Sequence, residues 1–444
     1  MIREAALLTD LYQLTMLQAY HREDMHAEAS FEFFVRTLPT TRNFLIAAGL
    51  EQLLDFLEGF QFSAEECEWL RTTGLFAGDF IDYLGHLRFT GAVHAMPEGT
   101  FCFPNEPIVR VTAPLPEAQI IETRLINLLQ YQTMIASKAV RAVLAADGRT
   151  LVDFGLRRAH GAEAGLLAAR ASYLAGFSGT SNVLAGKCYG IPLFGTMAHS
   201  YVMAHDTEIE AFIRFAEALP EQTVLLIDTY DTLEAAKLLA QQAQSFASRG
   251  LRIRGVRLDS GDLAALSVST REILDRGGLK GSEIFASGDL DEYAIRRLLA
   301  VDAPIDGFGV GTQLATSADA PALNCAYKLE EYAGCPRRKR SPGRATLPGR
   351  KQVFRTCDGQ GVMLHDVLEL CGAEGPGEPL LCEVMRGGRR LEAPEPLAAV
   401  RARVAEQRER LPRALASIDT AGAFPVRIGP ALSDLAQAME QSGR

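Results

Sequence analysis

The stretch VLLIDTYDTLEAAKLLAQQAQSFASRGLRIRGVRLDSGDL (residues 224–263) contains one full repeat of the pattern that decides the fold. It begins with a short apolar run, continues through a helical pattern, and returns to a second apolar run that ends in a carboxylate. Strand, helix and strand repeating at about 30 residues is the rhythm of a βαβ unit, in which the two strands are parallel. The stretch therefore predicts part of a parallel α/β sheet.

Four further apolar runs predict the remaining strands of this sheet. The six runs are LVDFG (151–155), PLFGTM (192–197), VLLID (224–228), IRGVRLD (253–259), IFASGD (284–289) and IDGFGVGT (305–312), and polar residues end nearly every one. In a closed barrel all these strand ends converge on one rim, whereas an open doubly wound sheet gathers only those near its switch point. No G-x-G-x-x-G follows the first run and the chain has no Walker sequence. The pattern therefore favours a TIM-like α/β barrel.

The chain on either side of these runs predicts a second, smaller α+β domain. FEFFVRTL (31–38) and FCFPNEPIVRVTA (101–113) alternate like strands, and Pro114 and Pro116 end that pattern before a long helix. Further on comes a basic segment, CPRRKRSPGRATLPGRKQVFR (335–355), which is either a solvated loop or a cover for a polyphosphate. The predicted segments are 1–116, the barrel at 117–330, and 331–444, with the first and last building the smaller domain together.

Composition and charge narrow the range of partners. The 444 residues are 48% hydrophobic and 23% charged, as in an ordinary globular protein. The net charge of −10 argues against a nucleic-acid partner, which requires a positive surface, although a locally basic pocket for a small anion is compatible with it. The apolar runs are far shorter than the roughly 20 residues of a membrane helix. We therefore expect a cytoplasmic protein without a membrane partner.

The eight cysteines are scattered without a C-x-x-C pair. This spacing argues against a zinc ribbon and favours reduced thiols packed as small hydrophobic side chains. A loose metal site from Cys357, Cys371 and Cys382 stays open as an alternative.

Three aspartates at successive strand ends give the strongest chemical signal: Asp228, Asp259 and Asp289. Carboxylate oxygens are the ligands of Mg²⁺, so the three are candidate metal ligands. The alternative is that they cap the helices that follow, since DTYDTLEAA and GDLDEYAI both resemble helix starts. Fixed positive charge for phosphate or carboxylate groups comes from Arg157, Arg158 and Arg257.

His199 is the most distinctive single residue, just past PLFGTM with Thr196 nearby. A histidine among carboxylates and arginines can act as a nucleophile toward phosphoryl groups. His205, further along the same segment, leaves a pair of metal ligands open as another possibility. The glycines of GFGVGTQ and SGD allow the backbone to approach an anion. Together these features predict a phosphorylated sugar or nucleotide as substrate.

Seven segments of the chain form a more specific pattern. They are LLTDLYQLTM, PEGTFCFPNEPIVRV, DFGLRRAHG, AGFSGTSNVLAGKCYGIPLFGTMAHSY, GVRLDSGDL, GFGVGT and TLPGRKQVFR, and they span about residues 5–355. In this order they resemble the nicotinate phosphoribosyltransferases, which are type II phosphoribosyltransferases. The resemblance implies an irregular α/β barrel with a small α/β domain, and a homodimer with shared active sites. The implied reaction is nicotinate + phosphoribosyl pyrophosphate + ATP + water → nicotinate mononucleotide + pyrophosphate + ADP + phosphate.

The resemblance also implies roles for individual residues. His199 matches the family's phosphorylated histidine and, with Asp259 and Arg257, would be catalytic. The nicotinate contacts match Tyr12 from the partner subunit, Phe154, Arg157, Thr196 and Arg257, and the phosphoribosyl contacts match Asp259, Gly288, Asp289, Gly311 and Thr312. Related nicotinamide enzymes carry an aspartate where this chain has Ser181, which favours the acid as substrate because no carboxylate repels it. A nicotinamide- or quinolinate-using phosphoribosyltransferase and a non-catalytic nucleotide or sugar-phosphate sensor stay open as alternatives.

Overall fold

The structure is a computed structural model that describes residues 6–442 and has a mixed α/β fold. The chain divides into two units. One joins the chain up to Ser137 with the chain from Ala320 onward, and the other is Lys138–Asp319. The division falls inside helix Glu122–Ala146, which is the long helix predicted after the two prolines.

The Lys138–Asp319 unit is built around a six-stranded parallel sheet. In spatial order its strands are Gly179–Thr180, Thr150–Asp153, Gly307–Val310, Glu283–Ala286, Ile253–Leu258 and Thr223–Leu226. Its helices are Ala162–Leu174, Val183–Tyr189, His199–Met203, Glu208–Ala218, Thr232–Ser248, Leu263–Arg276, Glu292–Ala300 and Thr312–Ala315, with a 3₁₀ turn at Leu156–Arg158. The predicted parallel sheet is thus confirmed, and the closed ring of a barrel stays a prediction.

Helix and strand burial in this unit follow the predicted periodicity. The strands bury apolar side chains such as Leu226, Val256 and Phe308. Helix Thr232–Ser248 buries Ala235, Ala236, Leu239 and Phe246, which lie on one face because their spacing follows the helical period.

One predicted strand is wrong. The PLFGTM run pairs with the sheet at a single bridge between Leu193 and Thr180, and the edge strand is Gly179–Thr180 instead. Thr180 N donates to Pro192 O over 3.0 Å, and Phe194 N donates to Thr180 O over 3.0 Å. The pairing stops there because the partner strand has two residues and Pro192 has no N–H to donate.

The other unit combines strands from both ends of the chain in three sheets. The seven-stranded antiparallel sheet has the order Cys335–Pro336, Cys325–Tyr332, Glu28–Val35, Val109–Pro114, Ala92–Ala95, Cys382–Arg386 and Arg389–Arg390. The smaller sheets are Glu378–Pro379, Lys351–Cys357, Met363–Leu370 and Val426–Ile428, and the pair Leu45–Ile46 and Phe101–Cys102. The helices are Leu11–Arg22, Leu50–Gly59, Ala64–Thr73, Gly78–His86, Leu115–Ile120, Leu397–Glu409 and Pro430–Gln441.

The basic segment 335–355 is only partly solvated. Lys351 and Arg355 are each 3% exposed. Arg355 Nε donates to Asp366 Oδ1 over 3.0 Å, and Lys351 Nζ lies 2.9 Å from Glu32 Oε2. At least these two cations therefore neutralise buried carboxylates of their own unit.

The cysteines are all free, but the prediction that most of them are packed inside is wrong. Cys67 and Cys102 are buried, Cys325 and Cys357 are half-buried, and the other four are exposed. Within residues 6–442, no helix combines the length and apolar character needed to cross a membrane.

Candidate active site

The carboxyl ends of the parallel strands carry most of the predicted site residues. Parallel strands end at the same edge of a sheet, so residues that directly follow them are brought together. The residues placed there are Phe154, Asp228, Asp259, Gly288, Asp289, Gly311 and Thr312. Arg257 lies inside strand Ile253–Leu258, two residues before Asp259. This edge is the candidate active site.

Arg257 and Asp259 form an ion pair, and a serine just past the end of the neighbouring strand bonds to both. Arg257 Nη2 donates to Asp259 Oδ1 over 2.7 Å, and Arg257 Nε donates to Ser287 Oγ over 2.8 Å. Ser287 Oγ in turn donates to Asp259 Oδ1. The side chains of Arg257 and Asp259 are 14% and 26% exposed, so the ion pair remains accessible while its hydrogen bonds fix its orientation.

Asp259 also faces His199, the first residue of helix His199–Met203. His199 Nε2 lies 3.9 Å from Asp259 Oδ2. Burial raises the pKa of Asp259, but the Ser287 hydrogen bond and the charges of Arg257 and His199 outweigh burial, so the pKa is lowered overall. Asp259 is therefore ionised at neutral pH beside an imidazole that is 42% exposed.

Asp228 links its own strand end to the next one. Its Oδ2 accepts from Asp259 N over 3.1 Å and from Ser260 Oγ over 2.6 Å. Its Oδ1 is buried and has no hydrogen-bond partner among the described residues. A buried carboxylate oxygen without a donor is a position that a hard cation fits. In the described part of the chain, no three His, Cys, Asp or Glu side chains are grouped as a ready-made metal site.

The residues that cap the following helices are other aspartates, which lie close in sequence to the strand-end aspartates. The capping residues are Asp231, Asp262 and Asp291, whose side chains accept from backbone N–H groups of the helices that follow them. Each follows a predicted metal ligand by two or three residues. The structure therefore leaves Asp228, Asp259 and Asp289 available for the edge.

Gly288 and Asp289 form a tight turn against the neighbouring strand end. Gly288 has φ +98°, and a Cβ there would lie 2.1 Å from Asp259 O. Asp289 also has a positive φ of 46°. Because glycine has no side chain, the turn can come this close, and its backbone stays open to an anion.

Phe154 and Arg257 are in contact at the same edge. Arg257 Cζ lies 5.2 Å from the centroid of the Phe154 ring. A Cβ on Gly309 would lie 2.4 Å from the ring, so the bare backbone at Gly309 supports the ring. A flat aromatic face beside a guanidinium suits a planar ligand that carries a carboxylate.

Ser181 is held by a buried network whose central residue, Asp153, the sequence analysis missed. Ser181 N donates to Asp153 O over 2.9 Å, and Thr180 Oγ1 donates to Asp153 Oδ2 over 2.7 Å. Burial raises the pKa of Asp153, although hydrogen bonds from Thr180 and Gly155 oppose the rise. The signal that could have identified Asp153 is a carboxylate inside an apolar run, LVDFG, where it needs buried partners.

For three predicted site residues, the contacts within the protein do not test the predicted role in substrate binding. Arg157 is exposed in its 3₁₀ turn. Thr196 is half-buried, and its hydroxyl accepts from its neighbour's backbone, Met197 N. Tyr12 belongs to the other unit and is 50% exposed. Their contacts with substrate stay predictions.

The histidine segment contributes one further local contact. His205 Nδ1 donates to Tyr201 O over 2.9 Å, so that nitrogen is used within its own turn. His199 Nδ1 instead meets the hydroxyl of Thr229 at 3.2 Å, a residue that the sequence analysis did not single out.

The fold and the edge define a class of α/β proteins that bind nucleotides or sugar phosphates at the ends of parallel strands. Comparison with known proteins narrows this class. Residues 7–130 match the nicotinate phosphoribosyltransferase N-terminal domain, and residues 149–333 match the nicotinate phosphoribosyltransferase family. The chain belongs to the nicotinate phosphoribosyltransferase family, which confirms the resemblance of its seven segments.

Individual relatives agree with this assignment. The chain is 50% identical over 425 residues to nicotinate phosphoribosyltransferase pncB2 of Mycobacterium tuberculosis, which covers 95% of this chain and 91% of that protein. It is 44% identical over 358 residues to nicotinate phosphoribosyltransferase of Bacillus subtilis, which covers 79% and 73%. The crystal structure of human nicotinic acid phosphoribosyltransferase is similar with a TM-score of 0.86 at 29% identity, covering 97% of this chain and 99% of that one.

Proposed function

We propose that the protein is a nicotinate phosphoribosyltransferase that forms nicotinate mononucleotide and pyrophosphate from nicotinate and phosphoribosyl pyrophosphate, coupled to ATP hydrolysis. The observation that carries the proposal is the side-by-side placement of the Phe154 ring and the Arg257 guanidinium, directly beside the ionised Asp259. In a chain of this family, an aromatic ring next to a fixed positive charge suits an aromatic acid.

The charge of this part of the edge supports nicotinate over its amide. The pyridine ring stacks against Phe154, and its carboxylate pairs with Arg257. Ser181 offers a hydroxyl where a carboxylate would repel the acid. Tyr12 from a second subunit covers the opposite face of the ring.

Ring orientation sets up the displacement at the sugar. The pyridine nitrogen attacks C1 of the phosphoribosyl group as the C1–oxygen bond to pyrophosphate breaks, and pyrophosphate leaves with the electron pair. Positive charge develops near C1, where Asp259 is ionised, and negative charge develops on the leaving group. The Gly288–Asp289 turn, Gly311 and the Thr312 hydroxyl hold the phosphoribosyl group, while Arg157 and Thr196 contact nicotinate.

Mg²⁺ is a suitable cation for this edge, because the buried Asp228 Oδ1 has no hydrogen-bond partner among the described residues. Asp228, Asp259 and Asp289 would share the cation with phosphate oxygens, since Mg²⁺ in such sites uses one or two carboxylates and keeps positions for substrate. When bound, it neutralises charge on the leaving pyrophosphate.

ATP enters through His199. The imidazole accepts the γ-phosphoryl group of ATP, ADP leaves, and water later hydrolyses the phosphohistidine to phosphate. His199 is exposed and lies beside the residues proposed to hold the phosphoribosyl group. A phosphoryl group on its ring would therefore alter the binding of the sugar pyrophosphate.

The assembly that we propose is a homodimer in which each barrel receives Tyr12 from its partner. Mixing Tyr12→Ala and His199→Ala protomers tests this directly, because a hybrid dimer then contains one intact site. Recovery of ATP-stimulated activity on mixing supports sharing, whereas two variants that stay without ATP-stimulated activity when mixed contradict it.

The experiment for the function itself compares ring substrates. The purified protein is incubated with phosphoribosyl pyrophosphate, Mg²⁺ and either nicotinate, nicotinamide or quinolinate, with and without ATP, and products are separated by chromatography. We expect nicotinate mononucleotide, with ATP raising the yield. A preference for another ring identifies a different phosphoribosyltransferase, and binding without any product identifies a sensor.

Two variants test the assigned roles. His199→Ala should remove acid-labile phosphorylation and ATP stimulation while leaving some ATP-independent product, and persistence of the phosphorylation refutes the assignment.

Asp259→Asn should raise the Mg²⁺ concentration needed for half-maximal rate. An unchanged Mg²⁺ titration would limit Asp259 to holding Arg257.

A further inference from the structure

Two loops with proposed nicotinate contacts leave neighbouring strands of the parallel sheet. Phe154 and Arg157 follow strand Thr150–Asp153, and Ser181 directly follows strand Gly179–Thr180. The two strands pair in parallel, and their last residues lie opposite each other. The positions of both loops therefore depend on how these two strand ends are held.

The carboxylate of Asp153 joins the two strand ends. Its Oδ1 accepts from Gly155 N over 2.8 Å, directly before the 3₁₀ turn that carries Arg157. Its Oδ2 accepts from Thr180 Oγ1 over 2.7 Å. Asp153 is 1% exposed and Thr180 is fully buried, so solvent does not compete for these hydrogen bonds. Each carboxylate oxygen thus holds one of the two loops.

The Thr180 hydroxyl extends this network to both sides of Ser181. While its proton is donated to Asp153, Thr180 Oγ1 accepts from Asn182 N over 3.0 Å. The side chain of Asn182 in turn caps helix Val183–Tyr189. Ser181 N donates to the backbone oxygen of Asp153 over 2.9 Å. Ser181 is therefore fixed through its own backbone and through both of its neighbours.

A carboxylate is the side chain that this arrangement requires. It offers acceptors on two separate oxygens, whereas an amide of the same shape has only one acceptor oxygen. The turn has no room to shift, since a Cβ on Gly155 would lie 2.5 Å from the Cβ of Ala315. A buried carboxylate oxygen that loses its donor is costly, so the two loops should stay in place only while both bonds are made.

We propose that Asp153 is a positioning residue for nicotinate, because its two oxygens fix the Phe154–Arg157 loop and the Ser181 loop relative to each other. The proposal rests on the nicotinate contacts of the proposed function. Asp153 is buried, so it acts through the two loops and not by touching the ring. Loss of one of its bonds should misplace the nicotinate contacts and leave the Gly288–Asp289 turn, at another strand end, in place for the phosphoribosyl group.

The test compares Thr180→Val, which keeps the shape but lacks the hydroxyl, with Thr180→Ser, which keeps the hydroxyl. KM for nicotinate and KM for phosphoribosyl pyrophosphate are measured on the full chain, each with the other substrate saturating. In Thr180→Val we expect KM for nicotinate to rise at least about tenfold and KM for phosphoribosyl pyrophosphate to stay within about threefold. Thr180→Ser should keep both values within about threefold of the wild type. Asp153→Asn, with one acceptor oxygen, should show the same split as Thr180→Val.

A matched control separates positioning from a general loss of stability. Thr223→Val removes another buried strand hydroxyl, which donates to Leu219 O over 2.8 Å at the amino end of the same sheet. It should lower the thermal unfolding temperature and leave KM for nicotinate unchanged.

Three results overturn the proposal. They are an unchanged KM for nicotinate in Thr180→Val, an equal rise in KM for both substrates, and a Thr180→Ser variant that behaves like Thr180→Val. Failure of the proposed function is distinguishable, because the wild type then makes no nicotinate mononucleotide at all. Thermal unfolding checks the fold of each variant, and Asp153→Asn carries the same comparison if Thr180→Val does not fold.

Discussion

Hydroxyl groups decide how the charged residues of the edge are held. Ser287 links Arg257 to Asp259, and Thr229 contacts the ring of His199. The sequence predicted the charged members, because a charge directly after an apolar run stands out. It did not assign these roles to the hydroxyl groups, because strand register sets which serine faces which carboxylate. Register pairs Phe285 with Arg257, and that pairing places Ser287 beside Asp259.

The residue at position 181 should decide between the acid and the amide. Ser181→Asp adds a negative charge near the expected position of the nicotinate carboxylate, so kcat/KM for nicotinate should fall at least about tenfold more than kcat/KM for nicotinamide. Steady-state kinetics with both rings measure this ratio. Ser181→Ala, which removes the hydroxyl without adding charge, is the control, and equal losses for both rings would contradict the account.

Gly309 should set the position of the Phe154 ring. In Gly309→Ala the new Cβ would lie 2.4 Å from ring atoms, so the ring must move and KM for nicotinate should rise about tenfold or more. Gly281→Ala is a matched control, since a Cβ there has nothing within 4 Å. An unchanged KM in Gly309→Ala would show that the ring does not contact nicotinate.

At the scale of elements, strands Thr223–Leu226, Ile253–Leu258 and Glu283–Ala286 each lead through a short loop to a helix that an aspartate caps. The sequence predicted these strands and helices because their apolar periods are regular. It could not separate the site aspartate from the capping aspartate, since both residues lie in one loop and both chemistries use a carboxylate. The strand predicted at 192–197 is wrong for a comparable reason. An apolar run in the sequence does not reveal that its partner strand is two residues long.

Removing a helix cap should therefore lower mainly the stability, whereas removing a site carboxylate should lower mainly kcat. Asp231→Ala should lower the free energy of unfolding by about 1 kcal/mol, because helix Thr232–Ser248 loses its N-cap, while kcat stays within about twofold. Asp228→Asn should lower kcat at least about tenfold with a smaller change in stability. Denaturant unfolding and steady-state kinetics on both variants measure the two effects, and the reverse pattern would refute the division of roles.

At the scale of the whole molecule, the net charge of −10 is a sum over groups of charges that have different roles. Arg257 faces the site, whereas Lys351 is buried between carboxylates in the other unit. Its Nζ lies 2.9 Å from Glu32 Oε2 and 3.5 Å from Glu330 Oε2. The sequence predicted the basic segment but not these partners, because their pairing depends on long-range strand contacts.

This buried cluster should make stability depend on pH. Burial raises the pKa of Glu330 to about 8, with Lys351 opposing the rise and Glu32 adding to it. The folded state thus keeps a proton that the unfolded chain releases at its ordinary pKa of about 4.3. This stabilisation is full below that value and is lost as pH rises toward 8.

The free energy of unfolding of Glu330→Gln should accordingly depend less on pH than that of the wild type. Between pH 5 and 8, the difference in slope should approach about 1.4 kcal/mol per pH unit, the value for one proton. Urea unfolding at several pH values measures it, with Glu409→Gln at an exposed position as control. Parallel pH dependences for Glu330→Gln and the wild type would be inconsistent with a proton held by Glu330.

The central claim is that the edge around Arg257, Asp259 and His199 attaches phosphoribose to nicotinate. The most direct measurement is kcat/KM of the purified protein for nicotinate, nicotinamide and quinolinate with phosphoribosyl pyrophosphate, Mg²⁺ and ATP. We predict that nicotinate has the highest value and that nicotinate mononucleotide and pyrophosphate form in equal amounts. A higher value for nicotinamide or quinolinate, or no nucleotide from any ring, would contradict the account.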